Sequence, residues 1–335
     1  MTNKEIYRQW AKEQSGLPIF MQPEWLDAVS AGKEWDVLLV SETKAVAAEG
    51  DADESKPVEE RKEVLAAMPY LYRKRLGMHF ILMPQLTQIG GIWLDEKKEW
   101  LASEIDEVCA SMKGQLEGLN LSYYYQQYPI NSPCPNRFEA MGFKVRERVT
   151  YRIQELQDLD KVIQNFSKNK KRQLQKALSL HAERGWTGEE FYRYLQSCFA
   201  ARKKKTSYSR EFMLVVEQKM RKLGQAEILT IRNADNEVYA AALLVWDKRR
   251  LYYLAPVFSP DKQESGAGAL LVLEAIKIAR EKGVIFDFEG SMIKGVANHY
   301  KQFGSKATLY YSVEKYYHWW FRPLMWVNKL KNIRF

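Results

Sequence analysis

The feature that most constrains this chain is a glycine loop set between a strand and a helix. Residues 251–258 read as a strand that begins Leu251-Tyr252-Tyr253-Leu254 and carries Pro256 near its end. The loop Gln263-Glu264-Ser265-Gly266-Ala267-Gly268-Ala269 follows. Residues 269–282 then place Leu271, Val272, Ala275, Ile278 and Ala279 on one helical face and Glu274, Lys277 and Glu281 on the other, and Gly283 stops the helix. Gly266 and Gly268 therefore sit at a helix N-terminus. Unbonded backbone N–H groups and the helix dipole favour an anion there, and missing side chains let a diphosphate come close. The unit belongs to an α/β fold. Taken alone, the glycines also suit a plain turn before a helix.

The chain has 335 residues, more than one ordinary core takes, which predicts two domains. Its elements recur twice in one order. The first cycle has strands at 35–40, 65–73 and 80–83, and a helix from a cap at Asp95 to about Leu116. A strand at 120–126, a proline-broken loop, a short helix and a strand at 143–153 complete it. Residues 42–63, rich in Glu, Asp, Ala and Lys, read as a solvated excursion. The second cycle has helical stretches around Ser167, a helix at 189–204, and strands at 226–232 and 238–246 joined by a turn at 233–236. The strand, glycine loop and helix above come next, then a strand at 284–289, a short helix at 296–303 and a strand at 308–314. Phe138-Glu139-Ala140-Met141-Gly142 closes the first short helix and Tyr300-Lys301-Gln302-Phe303-Gly304 the second. In both, a glycine suited to a helix end follows the aromatic at the same distance. This order predicts a duplication: one lobe at 1–154, a second at 155–314, and a tail at 315–335.

Gln263-x-x-Gly266-x-Gly268-Ala269 resembles the Gln/Arg-x-x-Gly-x-Gly/Ala motif of the GNAT acyltransferases, and the flanking strand and helix match as well. The resemblance covers about residues 226–314. It implies that Gln263, Ser265, Gly266, Ala267, Gly268 and Ala269 hold the pyrophosphate of an acyl-CoA, acetyl-CoA first among donors. It also implies that Tyr300 protonates the departing thiolate. The corresponding first-cycle stretch, Thr87-Gln88-Ile89-Gly90-Gly91, leads into Ile92-Trp93-Leu94 and not into a helix, so one cofactor loop is expected in two lobes. This arrangement, with the opening Phe20-Met21-Gln22-Pro23-Glu24-Trp25, resembles the FemAB-like and BioF2-like acyltransferases. That likeness implies a tandem duplication of the GNAT fold, with mixed sheets flanked by helices, and N-acyltransferase activity.

Ser167 is a good N-cap, and Lys168, Lys170, Lys171 and Arg172 crowd the helix start behind it, where the dipole disfavours cations. An anion bound there would offset that cost; a solvated charge run is the alternative. The stretch resembles the Lys/Arg-Arg-x-x-x-Lys/Arg-Ala motif of Fem-like families. The resemblance makes Lys171 and Arg172, with Lys168, candidates for acceptor binding.

In the strand at 284–289, Val284, Phe286 and Phe288 alternate with Asp287 and Glu289. Two carboxylates beside a ligand can take the proton of an attacking amine. Structural roles at a strand end, and a buried aromatic anchor for Tyr300, are the alternatives. No Ser/His/Asp or Cys/His set has local support, so direct attack in a ternary complex is expected over an acyl-enzyme.

Cys109, Cys134 and Cys198 form no CxxC pair, and the four histidines are scattered, which argues against a metal site and for reduced thiols in the cytoplasm. A net charge of +9 favours anionic partners. The tail from Tyr316 to Trp326 is aromatic, with Lys329, Lys331 and Arg334 beyond it. It is expected to pack on the protein, with peripheral contact at the inner face of a membrane as the alternative. The leading expectation is transfer from acyl-CoA to an amine of a small molecule or cell-envelope precursor, in an assembly of open stoichiometry. The alternatives are a Fem-type aminoacyltransferase that uses aminoacyl-tRNA on a cell-wall precursor, and a non-catalytic binding protein on the same fold.

Overall fold

The computed structural model describes residues 1–30, 34–46 and 59–319. Helices α1 (Asn3–Glu13) and α2 (Pro23–Val29) come first; Thr2 caps α1 by accepting from the Glu5 N–H, and Pro23 starts α2 where its missing N–H costs nothing. Strands β1 (Trp35–Val46), β2 (Glu59–Arg75), β3 (Met78–Leu82) and the short β4 (Trp93–Leu94) follow. Next are α3 (Ala102–Gly118), β5 (Tyr123–Gln127), α4 (Cys134–Ala140) and β6 (Lys144–Ile153). The second half runs α5 (Leu159–Gln164), α6 (Lys168–Lys176), β7 (His181–Arg184), α7 (Gly188–Ala201) and α8 (Arg210–Lys222). It ends with β8 (Ala226–Arg232), β9 (Val238–Trp246), β10 (Arg250–Phe258), α9 (Ala267–Glu281), β11 (Ile285–Asp287), α10 (Lys294–Lys301) and β12 (Lys306–Tyr316).

The strands of the described residues join one mixed sheet in the order β1-β2-β3-β5-β12-β6-β11-β10-β9-β8-β7, with β4 alongside β2. The order is nearly a palindrome. The last strand of each half has crossed over: β6 lies between β12 and β11, and β12 between β5 and β6. Phe138 corresponds to Tyr300, Gln127 to Glu289, Arg148 to Tyr310 and Arg152 to Glu314, all at one constant chain spacing. The register keeps that symmetry. Tyr125 pairs with Glu314 as Asp287 pairs with Arg152, and Arg148 pairs with its own counterpart Tyr310. A local twofold therefore passes through the Arg148–Tyr310 pair. The two halves are therefore a tandem duplication of one mixed α/β unit, as the element order predicts.

Helices cover both faces. α1, α2, α7 and α8 share one core over β1–β2 and β8–β10, built on Tyr7, Trp25, Phe191 and Met213. On the other face α3 and α4 cover the first half, around Met112 and Phe138, and α5, α6, α9 and α10 cover the second, around Leu271, Phe286 and Phe303. Several expectations change here. Asp95 does not cap α3, which starts at Ala102; the Asp95 carboxylate is buried and accepts from Gln14 Nε2 (2.9 Å) instead. Part of the supposed excursion at 42–63 is strand, because β1 and β2 stay paired out to Val46 and Glu59. β12 continues to Tyr316, so the tail begins inside the sheet, and most of its aromatic stretch lies outside the described residues.

Candidate active site

The site is built where β10 and β11 part. Their parallel pairing covers only Arg250–Tyr252 against Ile285–Asp287, while β10 runs on to Phe258 with a register shift between Tyr253 and Ala255 against β9. A wedge opens between them. Its far wall starts at Asp287, which is fully buried and fully engaged. Its carboxylate meets Arg152 Nε (2.5 Å) and accepts from Thr150 Oγ1 (2.5 Å) and the Glu289 N–H (2.9 Å). A buried, paired and triply bonded carboxylate is an anchor and not a proton acceptor. The alternative of a structural role at the strand end is thus the one the geometry favours for Asp287.

The chain then turns sharply. Glu289 has φ 61° and Gly290 φ 70°. A Cβ on Gly290 would stand 2.1 Å from the Val149 carbonyl, so only glycine lets the turn lie on β6. This turn breaks the strand alternation and carries Glu289 to the wedge. Glu289 Oε1 is buried with no partner, and burial together with the charge of Asp287 pushes its carboxyl well above the usual carboxylate range.

Tyr300 reaches the wedge from α10. Its ring stacks on Phe288 with centroids 4.4 Å apart, and burial, then the Glu289 charge, push its phenol up to about 12. Tyr253 faces the same space from β10; its hydroxyl is buried without a partner, and burial and Tyr300 push it up as well. Glu289 thus acts on the Tyr300 phenol, and Tyr300 in turn on Tyr253.

The glycine loop lies on the α9 side of the sheet. Gly266 has φ 82°, and a Cβ there would stand 2.0 Å from the Gln173 carbonyl of α6. This glycine therefore serves a turn and a close helix contact at once. The Ala267 N–H donates to Ser265 Oγ (3.2 Å), whereas the Gly266 and Gly268 N–H groups have no partner among the described residues. They border a cavity of about 200 Å³ lined also by Gln263, Ala269, His299 and Lys170. Lys170 is 3% exposed and meets no carboxylate among the described residues. Its ammonium donates to Gln173 Oε1 (2.9 Å), approaches His299 Nδ1 (3.2 Å) and lies 4.8 Å over the Phe303 ring. Burial pulls it down to about 8, and burial with its charge holds His299 down at about 4.

The three basic residues singled out from the sequence lie elsewhere. Lys168 and Arg172 are exposed, and Lys171 Nζ donates to the Gln164 carbonyl (2.8 Å). The cation that α6 turns inward is Lys170, which the motif did not single out. A signal for it existed: Lys170, Leu174 and Ala177 share one helical face, so a lysine sits in the apolar stripe.

The equivalent wedge of the first half is bridged. β3 and β5 pair at Phe80–Tyr123 and Ile81–Tyr124, and the Gly90 N–H then donates to the Gln127 carbonyl (2.6 Å). The Tyr128 ring lies where a Gly91 Cβ would be, at 2.8 Å. The same loop sends Gln88 across to the second half, where Nε2 donates to the Glu289 carbonyl (2.7 Å). Gln88, Glu289, Arg148 and Tyr310 line a cavity of about 450 Å³ on the face opposite the glycine loop. A third cavity of about 500 Å³, beside α5, mixes acids and bases; Arg152 and Phe303 reach its lining, whereas Glu289, Tyr300 and Lys170 do not. Among the described residues no cluster of His, Cys, Asp and Glu could hold a metal ion.

Residues 137–302 match the family model of the acetyltransferase (GNAT) domain. No curated protein matches the chain. Among solved structures the chain is similar to FemX (12% identity, 93% of this chain and 96% of that one, TM-score 0.63). It is similar to a conserved protein of unknown function from Bacteroides thetaiotaomicron (8% identity, 92% and 96% covered, TM-score 0.57). It is also similar to the C-terminal domain of a lysylphosphatidylglycerol synthetase from Agrobacterium fabrum (13% identity, 93% and 92% covered, TM-score 0.53). At these identities the likeness is one of fold.

Proposed function

We propose that this chain, whose residues 137–302 match the acetyltransferase (GNAT) domain, is a FemAB-like N-acyltransferase that moves an acyl group from acyl-CoA to an amine across the β10–β11 wedge. The observation that carries this reading is Lys170: a buried ammonium that meets no acid among the described residues, beside two glycine amides at a helix start that meet no acceptor among them. An anion is what that arrangement lacks.

In this proposal the donor supplies a thioester, its diphosphate lying on Gly266, Gly268 and Lys170 with Gln263, Ser265, Ala267 and Ala269 shaping the approach. The acceptor enters from the opposite face, so the two substrates meet at the wedge and water is displaced from between them. The amine attacks the thioester carbonyl; the C–N bond forms and the C–S bond breaks. Glu289 takes the proton that the nitrogen loses, a task its raised pKa suits. Tyr300 gives its proton to the leaving sulfur. Asp287 holds the turn that aims Glu289. The lobes of this reading are 1–154 and 155–314, which exchange their last strands, with 315–335 as tail.

An aminoacyl-tRNA donor would use the wedge but leave Lys170 and the two amides idle, which favours CoA. A binding protein without catalysis would have no use for Glu289, Tyr300 and Tyr253 around one opening. Three buried free cysteines fit a reducing cytoplasm. No helix among the described residues is long and apolar enough to cross a membrane. The test is a thermal shift with CoA at millimolar concentration, followed by thiol release from acetyl-CoA with a panel of amines. Stabilisation by CoA and amine-dependent thiol release are expected. No shift at saturating CoA would sink the donor assignment.

A further inference from the structure

The cavity on the acceptor face carries two kinds of unmet demand. Gln88 is 7% exposed, and its Nε2 is committed to the Glu289 carbonyl, so the amide's oxygen is the free end. That oxygen is buried without a partner, and so is Glu289 Oε1. Two buried acceptors on residues that line one cavity call for a donor with at least two N–H bonds, because each unmet acceptor carries a desolvation cost. The other demand is positive. Arg148 lines the same cavity and pairs with no carboxylate among the described residues. Its Nε reaches Ser312 Oγ (3.4 Å) and its Nη2 the Tyr125 hydroxyl (2.8 Å), both neutral, which leaves Nη1 without a partner among the described residues. The two demands are close in the fold, because the turn at Glu289–Gly290 lies directly on Val149, the residue after Arg148.

We propose that the acceptor is an amino acid: its amine is received between Gln88 Oε1 and Glu289 Oε1, and its carboxylate by Arg148 a few bonds away. This rests on the acyl-transfer reading and names the substrate class for it. A carboxylate is favoured over a phosphate because the single guanidinium that lines the cavity offsets one negative charge and not two. The bond changes are those already given. The amine becomes an amide and ends uncharged, so the product loses its hold on Glu289 while the carboxylate stays on Arg148.

The test uses the full chain with acetyl-CoA and reads thiol release. The acceptors are the α-amino acids, several β- and γ-amino acids, the methyl ester of each, the matching plain amines, and ethanolamine phosphate. The expected result is a free amino acid that outperforms its ester in kcat/KM by about 30-fold or more, the size of effect seen when one member of a buried charge pair is removed. Arg148→Gln should raise KM for that amino acid by about tenfold or more and leave KM for acetyl-CoA unchanged, with partial recovery in Arg148→Lys. The proposal is overturned if esters or plain amines serve equally well, if ethanolamine phosphate is preferred, or if Arg148→Gln changes both KM values alike. Should CoA not bind at all, the donor reading fails and direct titration still decides this one. Saturable binding of an amino acid that Arg148→Gln removes supports it, and no binding by any amino acid at about 10 mM overturns it.

Discussion

Lys170→Met separates what the fold wants from what the ligand wants. The ammonium lies 3% exposed with two neutral partners, and burial lowers its pKa from 10.5 to about 8. Between those two values the unfolded chain binds more protons than the folded one. Wild-type stability therefore rises with pH across that window, and the penalty is fully present below it. The shift corresponds to a few kcal/mol, on the order of 3. Methionine fills the same volume without a charge, so Lys170→Met should be the more stable protein at pH 7, by up to about that amount less the lost bond to Gln173, and should lack the rise between pH 8 and 10.5. The same change should cost CoA affinity about 1.5–3 kcal/mol, roughly 10- to 150-fold, the worth of a charged hydrogen bond. A diphosphate beside Lys170 restores its proton, so CoA binding near pH 9 should take up a fraction of a proton. Denaturant melts from pH 6 to 10.5, and CoA titrations in two buffers of different ionisation enthalpy, measure all of this. A variant that melts earlier than wild type at pH 7, or CoA binding without proton uptake near pH 9, would refute the reasoning.

The two loop glycines should behave oppositely. Gly266→Ala forces a Cβ into the Gln173 carbonyl at φ 82° and is expected to cost about 2–4 kcal/mol in thermal or urea melts. Gly268→Ala meets only the Phe258 ring at 3.3 Å inside a helix, so stability should hold or rise by about 0.5–1 kcal/mol while CoA binding weakens. Tyr300→Phe keeps the ring stacked on Phe288 and removes the proton, so kcat should fall about 10²- to 10⁴-fold with an unchanged melting temperature. Glu289 has a raised folded pKa, so wild-type stability is lost as pH rises through that value. Glu289→Gln should therefore gain on wild type in melts at pH 9 compared with pH 5, while its turnover collapses.

Much of the fold was legible because its signals are local. The strand, turn and helix around Gly266, the hairpin at 233–236 and the paired helix ends at Gly142 and Gly304 each depend on neighbours in sequence. The crossing of β6 and β12 was not legible, since pairing partners far apart leave no mark within either strand. Among site residues, alternation along the strand put Asp287 and Glu289 on a par. What parts them is the left-handed turn at Glu289 and the reach of Arg152 from β6, both set by tertiary contact. Lys170 was hidden by its company: four cations in a short run look alike until the helix phase shows which one faces inward. Arg148 carries no motif and Gln88 stood out only within a glycine stretch; their shared place arises from a cavity assembled by both halves.

The crossing strands also bear on how such a chain can be made. While the ribosome has yet to supply residues 306–316, β5 and β6 have no strand to sit between them, and the centre of the sheet has a gap. The first half cannot settle into its final register on its own. Its exposed edges wait for a strand made later, whose pairing with β5 spans close to 190 residues of chain and is therefore slow to form. Folding then closes the sheet and the acceptor cavity in one event, because Tyr310, on that late strand, is also a wall of the cavity. A ribosome-stalled chain ending before Lys306 should be protease-sensitive throughout, and not only in its second half.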